Sequence, residues 1–250
     1  VPGFDGGDRN DIALPAQQQA LLERAKASGK PLVVVLMSGS AVALNWAKTH
    51  ADAIVAAWYP GQSGGTAIAR MLAGDDNPGG RLPVTFYRST KDLPPYVSYD
   101  MKGRTYRYFK GDPLFAFGYG LSYTRFAYDA PQLSTTTLQA GSSLQVTTTV
   151  RNTGARAGDE VAQVYLQYPD RPQSPLRSLV GFQRVHLAAG EQRTLTFNLD
   201  ARALSDVDRS GQRAVEAGNY TLFVGGGQPG TGAAGNPAPF SVRGRSPLPK

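Results

Sequence analysis

The two histidines of this chain, His50 and His186, stand far in sequence from any cluster of metal-binding or nucleophilic residue types. A zinc site or a Ser-His-Asp relay needs an imidazole beside other ligands or beside a nucleophile, so neither chemistry is written here. Cysteine is absent, which excludes disulfides and thiolate metal sites and leaves the compartment open. Gly61, Gly64 and Gly65 precede a short helical pattern, and helix N-termini attract anions, yet neither phosphate-binding glycine spacing is present. Lys102, Arg104, Arg107 and Lys110 interleave with Tyr106, Tyr108 and Phe109 and account for the densest part of the net charge of +7. Basic and aromatic residues together can hold nucleic acid. The remaining charge is mixed and no nucleic-acid-binding pattern appears, so this segment reads as packing between domains. Neither a metal nor an organic cofactor is expected.

Two kinds of sequence grammar position these residues. With 250 residues and 41% hydrophobic content, two domains are expected. No apolar run approaches the roughly 18 residues that span a bilayer, so no membrane is expected as a partner. In the first part, Pro15 opens a helix carrying Leu21, Leu22 and Ala25, and Gly29 stops it. Strands follow at Pro31 to Met37 and Ala53 to Trp58, with a helix between them around Val42 to Thr49. A glycine-led helix then runs from Thr66 to Ala73, stopped by Gly74 before the Asp75-Asp76-Asn77-Pro78 turn. This alternation predicts an α/β sandwich domain over residues 1–93, a mainly parallel sheet with helices on both faces. Residues 94–125 form an aromatic-rich connector in which Tyr96, Tyr99, Tyr106, Tyr108, Phe115, Phe117, Tyr119 and Tyr123 are first of all packing residues.

From Phe126 the period changes to two. Leu144, Val146, Thr148 and Val150 share one face, as do Leu195, Phe197 and Leu199, and Tyr220, Leu222 and Val224. Turn signals at Asn152-Thr153-Gly154, Ala189-Gly190-Glu191 and Ala217-Gly218-Asn219 separate these runs. Residues 126–243 are therefore expected to be an all-β immunoglobulin-like or fibronectin type III-like sandwich, with a last strand at Phe240 to Arg243 and a loose tail over 244–250.

Three strings carry a further signal: GFDGGDRNDIALPAQQ from Gly3, AWYPGQSGGTAIARMLAGDDNPGGRLPVTF from Ala57, and DMKGRTYRYFKGDPLFAFGYGLSYTRF from Asp100. Together they resemble the second domain of family 3 glycoside hydrolases, in which the W-x-P-G-x-x-G-G and G-R-L-P-V-T-F elements recur as a pair. The resemblance implies hydrolysis of a β-glycosidic bond with retention, which needs a nucleophile and a general acid/base about 5–5.5 Å apart. The four glutamates here are Glu23, on the first helix, and Glu160, Glu191 and Glu216, in the sandwich, and none suits that role. By the resemblance, the nucleophile is an aspartate on an N-terminal barrel that nothing in this chain matches. The acid/base is a glutamate shortly before the G-D-R element, here Gly7-Asp8-Arg9. No glutamate precedes it, so both catalytic carboxyls are expected upstream of Val1 and the chain alone is expected to be inactive.

Asp8 and Arg9 are the residues that could fix the acid/base loop or reach a sugar hydroxyl, and Asp5 is a weaker candidate. The wording of the first and third strings looks most like β-xylosidases, with β-glucosidases close behind. The implied partners are an oligosaccharide or aryl β-glycoside and the barrel domain of the same protein; a homodimer is compatible with the pattern. Val1 is not a methionine and no signal sequence follows, which suggests a piece of a longer protein. Bacterial proteins of this type are mostly periplasmic or secreted, and that is the expected location.

Overall fold

The computed structural model describes residues 11–171, 174–208 and 210–249. Two compact units emerge, whose boundaries do not follow the chain linearly. Of the described residues, the first takes those from 11 to 76 together with 84–104 and 109–116; the second takes 77–83, 105–108 and those from 117 on.

In the first unit, helix α1 (Ala16–Ala27) leads to strand β1 (Val33–Leu36), helix α2 (Asn45–His50), strand β2 (Ala53–Ala56) and helix α3 (Gly64–Ala73). The two strands are parallel, with Val33 opposite Ala53 and Leu36 opposite Ala56. Asp52 ties the start of both strands to the first helix. Its carboxylate accepts from the Leu32 backbone N–H at 2.7 Å and from Lys26 Nζ at 2.9 Å, and these bonds, the backbone one first, hold its pKa below the usual carboxylate range. Helix α2 begins three residues later than the sequence pattern suggests. Val42 to Leu44 stay outside the helix, where the Ala43 N–H donates to the Ile12 carbonyl at 2.8 Å. The core of this unit centres on Val42, Leu44, Ala47, Phe86 and Leu114 rather than on the sheet. Strand β2 contains no buried residue, α1 none, and Leu72 on α3 is exposed.

The second unit is built from strands. They are β3 (Phe126–Tyr128), β4 (Gln132–Leu133), β5 (Thr137–Gln139), β6 (Leu144–Asn152), β7 (Gly158–Gln167), β8 (Ser178–Leu187) and β9 (Gln192–Leu199), then β10 (Asp206–Val207), β11 (Arg213–Val215), β12 (Gly218–Gly225), β13 (Gly235–Arg243) and β14 (Ser246–Leu248). One sheet runs β5-β13-β12-β7-β8; another centres on β6, which pairs with β3, β4 and β9. The period-two reading of the sequence holds along these strands: Leu144, Val146 and Val150 are fully buried, and every second residue of β9 from Leu195 to Leu199 points into the same core.

The end of the chain differs from the expected loose tail. β14 pairs antiparallel with β11, Pro247 opposite Ala214, and Arg245 Nε donates to Glu216 Oε1 at 2.9 Å. The last long strand also starts five residues earlier than its apolar core at Phe240, at Gly235. Pro237 and Pro239 are tolerated because β5 pairs with β13 only at Ser241 to Arg243, which leaves the proline positions on an edge.

Asn152 closes the corner after β6. Fully buried, it accepts from Thr124 Oγ1 (2.7 Å) and the Gly154 N–H (3.0 Å) and donates to the carbonyls of Arg156 (2.7 Å) and Leu187 (3.1 Å). The predicted Asn-Thr-Gly turn is thus held by a side chain with all four bonding capacities used.

Burial raises the phenol pKa of Tyr128, Tyr165, Tyr168 and Tyr220 above the ordinary value. The unfolded chain ionises these phenols from about pH 10, whereas the folded chain keeps them neutral. Their contribution to stability is therefore complete below about pH 10 and declines as pH rises beyond it. Urea midpoints measured in steps across the alkaline range should fall from that point.

Candidate functional site

Parallel strands direct their C-terminal ends to one edge, and ligands of open α/β sheets sit beyond that edge. Here Leu36 and Ala56 are the paired last residues, so the loops that leave them, Met37 to Ala41 and Ala57 to Ser63, start side by side. Of the three glycines anticipated for this turn, Gly61 and Gly64 have a specific task, whereas a Cβ at Gly65 would meet nothing within 4 Å. Gly61 adopts φ +72°, a left-handed turn that suits a residue without Cβ. Gly64, buried at the start of α3, lies against the Pro60 ring, where a Cβ would come within 2.5 Å of Cγ. Helix α3 ends as expected at Gly74, φ +86°, whose N–H donates to Met71 O. Asp76 is engaged by Arg70 through two bonds of 2.7 and 2.9 Å, consistent with a turn role for the Asp75-Asp76 pair.

Two features of this edge were not legible in the sequence. Trp58 takes φ +53°, a left-handed conformation that costs a bulky residue on the order of 1–2 kcal/mol. Its indole packs edge-on against the buried Phe86, centroids 6.3 Å apart. The next residue, Tyr59, is 79% exposed, and its ring rests on Gly39 of the neighbouring loop so closely that a Cβ there would lie 2.5 Å from Cε2.

The G-G-R-L-P-V-T-F element is divided between the two units. Phe86 belongs to the first, where its N–H donates to Phe115 O at 2.9 Å and its carbonyl accepts from Leu114 N at 2.8 Å. Residues 77–83 belong to the second, so the boundary expected at residue 93 is crossed earlier. There Asn77 Oδ1 accepts from Ser122 Oγ (3.0 Å) and the Tyr123 N–H (2.9 Å), while Leu82 exchanges backbone bonds with Gly118 and Tyr119. Arg81 joins the strand-built unit. Its Nη2 meets Glu160 Oε2 at 2.6 Å, its Nη1 donates to the carbonyls of Gly79 and Gly80 at 3.1 Å, and its Nε donates to Gly226 O at 3.2 Å. Tyr128 donates to the other Glu160 oxygen at 2.6 Å. The pair is nearly dry, with side-chain exposures of 10% and 3%.

Other expected residues fall in varied places. Asp5, Asp8 and Arg9 lie outside the described residues. Glu23 accepts from Gln19 Nε2, Glu191 from the Ala188 N–H and Arg193, and Glu216 from Arg245. His50 stacks on Trp46 at 4.4 Å. His186, which looks isolated along the chain, sits opposite Asp159 across the β7–β8 pair, with Nδ1 2.7 Å from Asp159 Oδ1. Arg184 ion-pairs with the second Asp159 oxygen. Burial raises the Asp159 carboxyl, and the His186 and Arg184 bonds outweigh it, so its pKa lies below the usual range. In the connector, helix α4 (Thr105–Tyr108) carries Tyr106, which stacks on Phe117 at 4.1 Å and accepts from the Leu179 N–H at 3.0 Å. Tyr96, Tyr99 and Tyr123 are exposed, Tyr123 with the Arg156 guanidinium carbon 5.6 Å from its ring centroid.

Comparison with known proteins places this arrangement. Residues 3–123 match the glycosyl hydrolase family 3 C-terminal domain, and residues 160–228 match a fibronectin type III-like domain. The chain belongs to glycosyl hydrolase family 3. It is 45% identical over 227 residues to a xylan 1,4-β-xylosidase of Xylanibacter ruminicola, covering 90% of this chain and 26% of that protein. A periplasmic β-glucosidase of Salmonella typhimurium is 39% identical over 234 residues, covering 88% and 31%. The solved structure of β-glucosidase 3B from Thermotoga neapolitana in complex with α-D-glucose superposes with a TM-score of 0.85 at 30% identity, covering 96% of this chain and 36% of that one. This family 3 chain thus spans about a quarter to a third of the length of the relatives it matches. Among its described residues, no helix is long and apolar enough to cross a membrane.

Proposed function

We propose that this chain is the C-terminal part of a retaining, exo-acting β-glycosidase that releases non-reducing-end sugars from plant-type oligosaccharides. The observation that carries this reading is the pairing of the two domain matches in one chain, with 45% identity to a xylosidase of which it spans only 26%. β-Xylosidase is the first reading. β-Glucosidase is the second, favoured by the Salmonella relative and the Thermotoga structure. A xylose site differs mainly in leaving no room for a hydroxymethyl group, a small difference in pocket shape.

On this reading the nucleophilic aspartate and the acid/base glutamate are carried by polypeptide preceding Val1, the aspartate on a barrel domain. The four glutamates of this chain are all engaged in structural bonds, which supports that assignment. Asp8 and Arg9, with Asp5 in a lesser role, position the acid/base loop. Strand β2 without a buried residue, in a parallel sheet of two strands, supports a first unit that is part of a larger α/β sandwich with helices on both faces, since parallel sheets are normally covered on both sides. The strand-built unit is a support of immunoglobulin-like type. A periplasmic or secreted location follows the periplasmic relative.

The test compares the parent protein with this chain on aryl β-xylosides and β-glucosides. The parent is expected to release the aryl group, faster from the xyloside, and the chain alone to release none. Turnover by the isolated chain would refute the placement of both carboxyls elsewhere. An inert parent would favour a non-catalytic, carbohydrate-associated module.

A further inference from the structure

We propose that Tyr59 is a stacking platform for a neutral pyranoside, a specificity-determining residue that the reading above leaves unassigned and on which this inference builds. Three independent observations converge on it. The ring stands at the C-terminal edge of a parallel strand pair, where α/β sheets bind ligands. It is 79% exposed yet held, because Gly39 leaves no Cβ between its own backbone and the ring: one built there would sit 2.5 Å from Cε2, 3.1 Å from Cζ and 3.2 Å from the hydroxyl. The residue before it is strained, and a strained bulky residue persists where the surroundings require the conformation. At Trp58 the left-handed turn allows the indole to pack on Phe86 while the chain sends the following side chain outward.

The chemistry of the two loops selects the ligand class. Met37 to Ala41 and Ala57 to Gly65 contain no charged residue. A phosphate or an acidic chain would find no counter-charge there. The loops offer an aromatic ring, the exposed thioether side chain of Met37, and the amide and hydroxyl groups of Gln62 and Ser63, of which Ser63 makes no capping bond to α3. A sugar ring presents the complement: C–H groups on one face for the aromatic, hydroxyls at the rim for the polar groups. A ring immobilised before binding loses little rotamer freedom on contact, which favours a weak ligand.

The experiment follows the tyrosine ring resonances of the full 250-residue chain by NMR while methyl β-D-xylopyranoside or xylobiose is added, with the fully exposed Tyr99 as internal control. Saturable shifts are expected at Tyr59 and not at Tyr99. Tyr59→Ala should weaken binding about tenfold, read from the sugar resonances, and Tyr59→Phe should retain it, because stacking needs the ring and not the hydroxyl. Linear, equal responses of the two rings, or an unchanged affinity in Tyr59→Ala, would overturn the platform. Thermal melts of both variants should match the wild type, since the side chain is exposed. No step of this test uses hydrolysis. A parent enzyme that cleaves xylosides while Tyr59 stays silent defeats the platform alone, and an inert parent defeats the broader reading alone.

Discussion

Replacing Arg81 by methionine should destabilise the strand-built unit by about 3–5 kcal/mol, measured by urea unfolding. The methionine fills much of the same space, so the loss is electrostatic. Glu160 would remain with a side-chain exposure of 3% and keep only the Tyr128 hydroxyl as a partner, while the carbonyls of Gly79 and Gly80 would lose the Arg81 donor and that of Gly226 would keep only Gln163. A buried carboxylate without its cation is far costlier than the ion pair is beneficial. The double variant Arg81→Met, Glu160→Leu should therefore recover a large part of the loss, and the coupling between the two sites should be strongly non-additive. A single-variant loss below about 1 kcal/mol would show that the pair is hydrated in solution. Because Arg81 belongs to the segment 77–83, the Arg81→Met variant should also expose that segment to proteolysis before the rest of the unit.

Gly118→Ala should cost about 2–5 kcal/mol for two separable reasons. The residue sits at φ +76°, which a Cβ disfavours, and the new methyl group would lie 2.3 Å from Gln163 Oε1 and 2.5 Å from the Tyr165 hydroxyl. Those two atoms are themselves bonded at 2.6 Å, and Gln163 Nε2 donates to the carbonyls of Gly118 and Gly226 at 3.0 Å, so neither can retreat without breaking a buried bond. The contrast is Gly190→Ala, at nearly the same φ (+78°) with nothing within 4 Å of the new Cβ, where only the backbone part of the cost should remain. Chemical denaturation of the two variants separates strain from crowding. Equal losses would mean that the Gln163–Tyr165 pair yields freely.

Both variants probe the segment where sequence and structure diverge most. Along the chain Arg81 is one residue of the G-R-L-P-V-T-F element of the expected α/β domain, and yet its guanidinium finds its counter-charge on β7, 79 residues later. His186 and Asp159 are likewise 27 positions apart and become neighbours only through antiparallel register. The strain at Trp58 has no sequence signature, since tryptophan is not a residue type that favours positive φ. The aromatics of the connector look alike along the chain, but Tyr106 is stacked and bonded while Tyr99 is fully exposed.

What the sequence determined by itself were the features set by local rules. Period two placed the long strands of the second unit, glycine marked the turn at Gly61 and the end of α3 at Gly74, and the motif pair carried the family resemblance. Tertiary structure alone decided which unit owns residues 77–83, that the glycine- and proline-rich tail becomes strands β13 and β14, and that Tyr59 is held exposed against Gly39. The reason is physical: backbone propensity acts over a few residues, whereas a buried ion pair, an edge-strand pairing or a missing Cβ matters only once distant segments have been brought within a few ångströms.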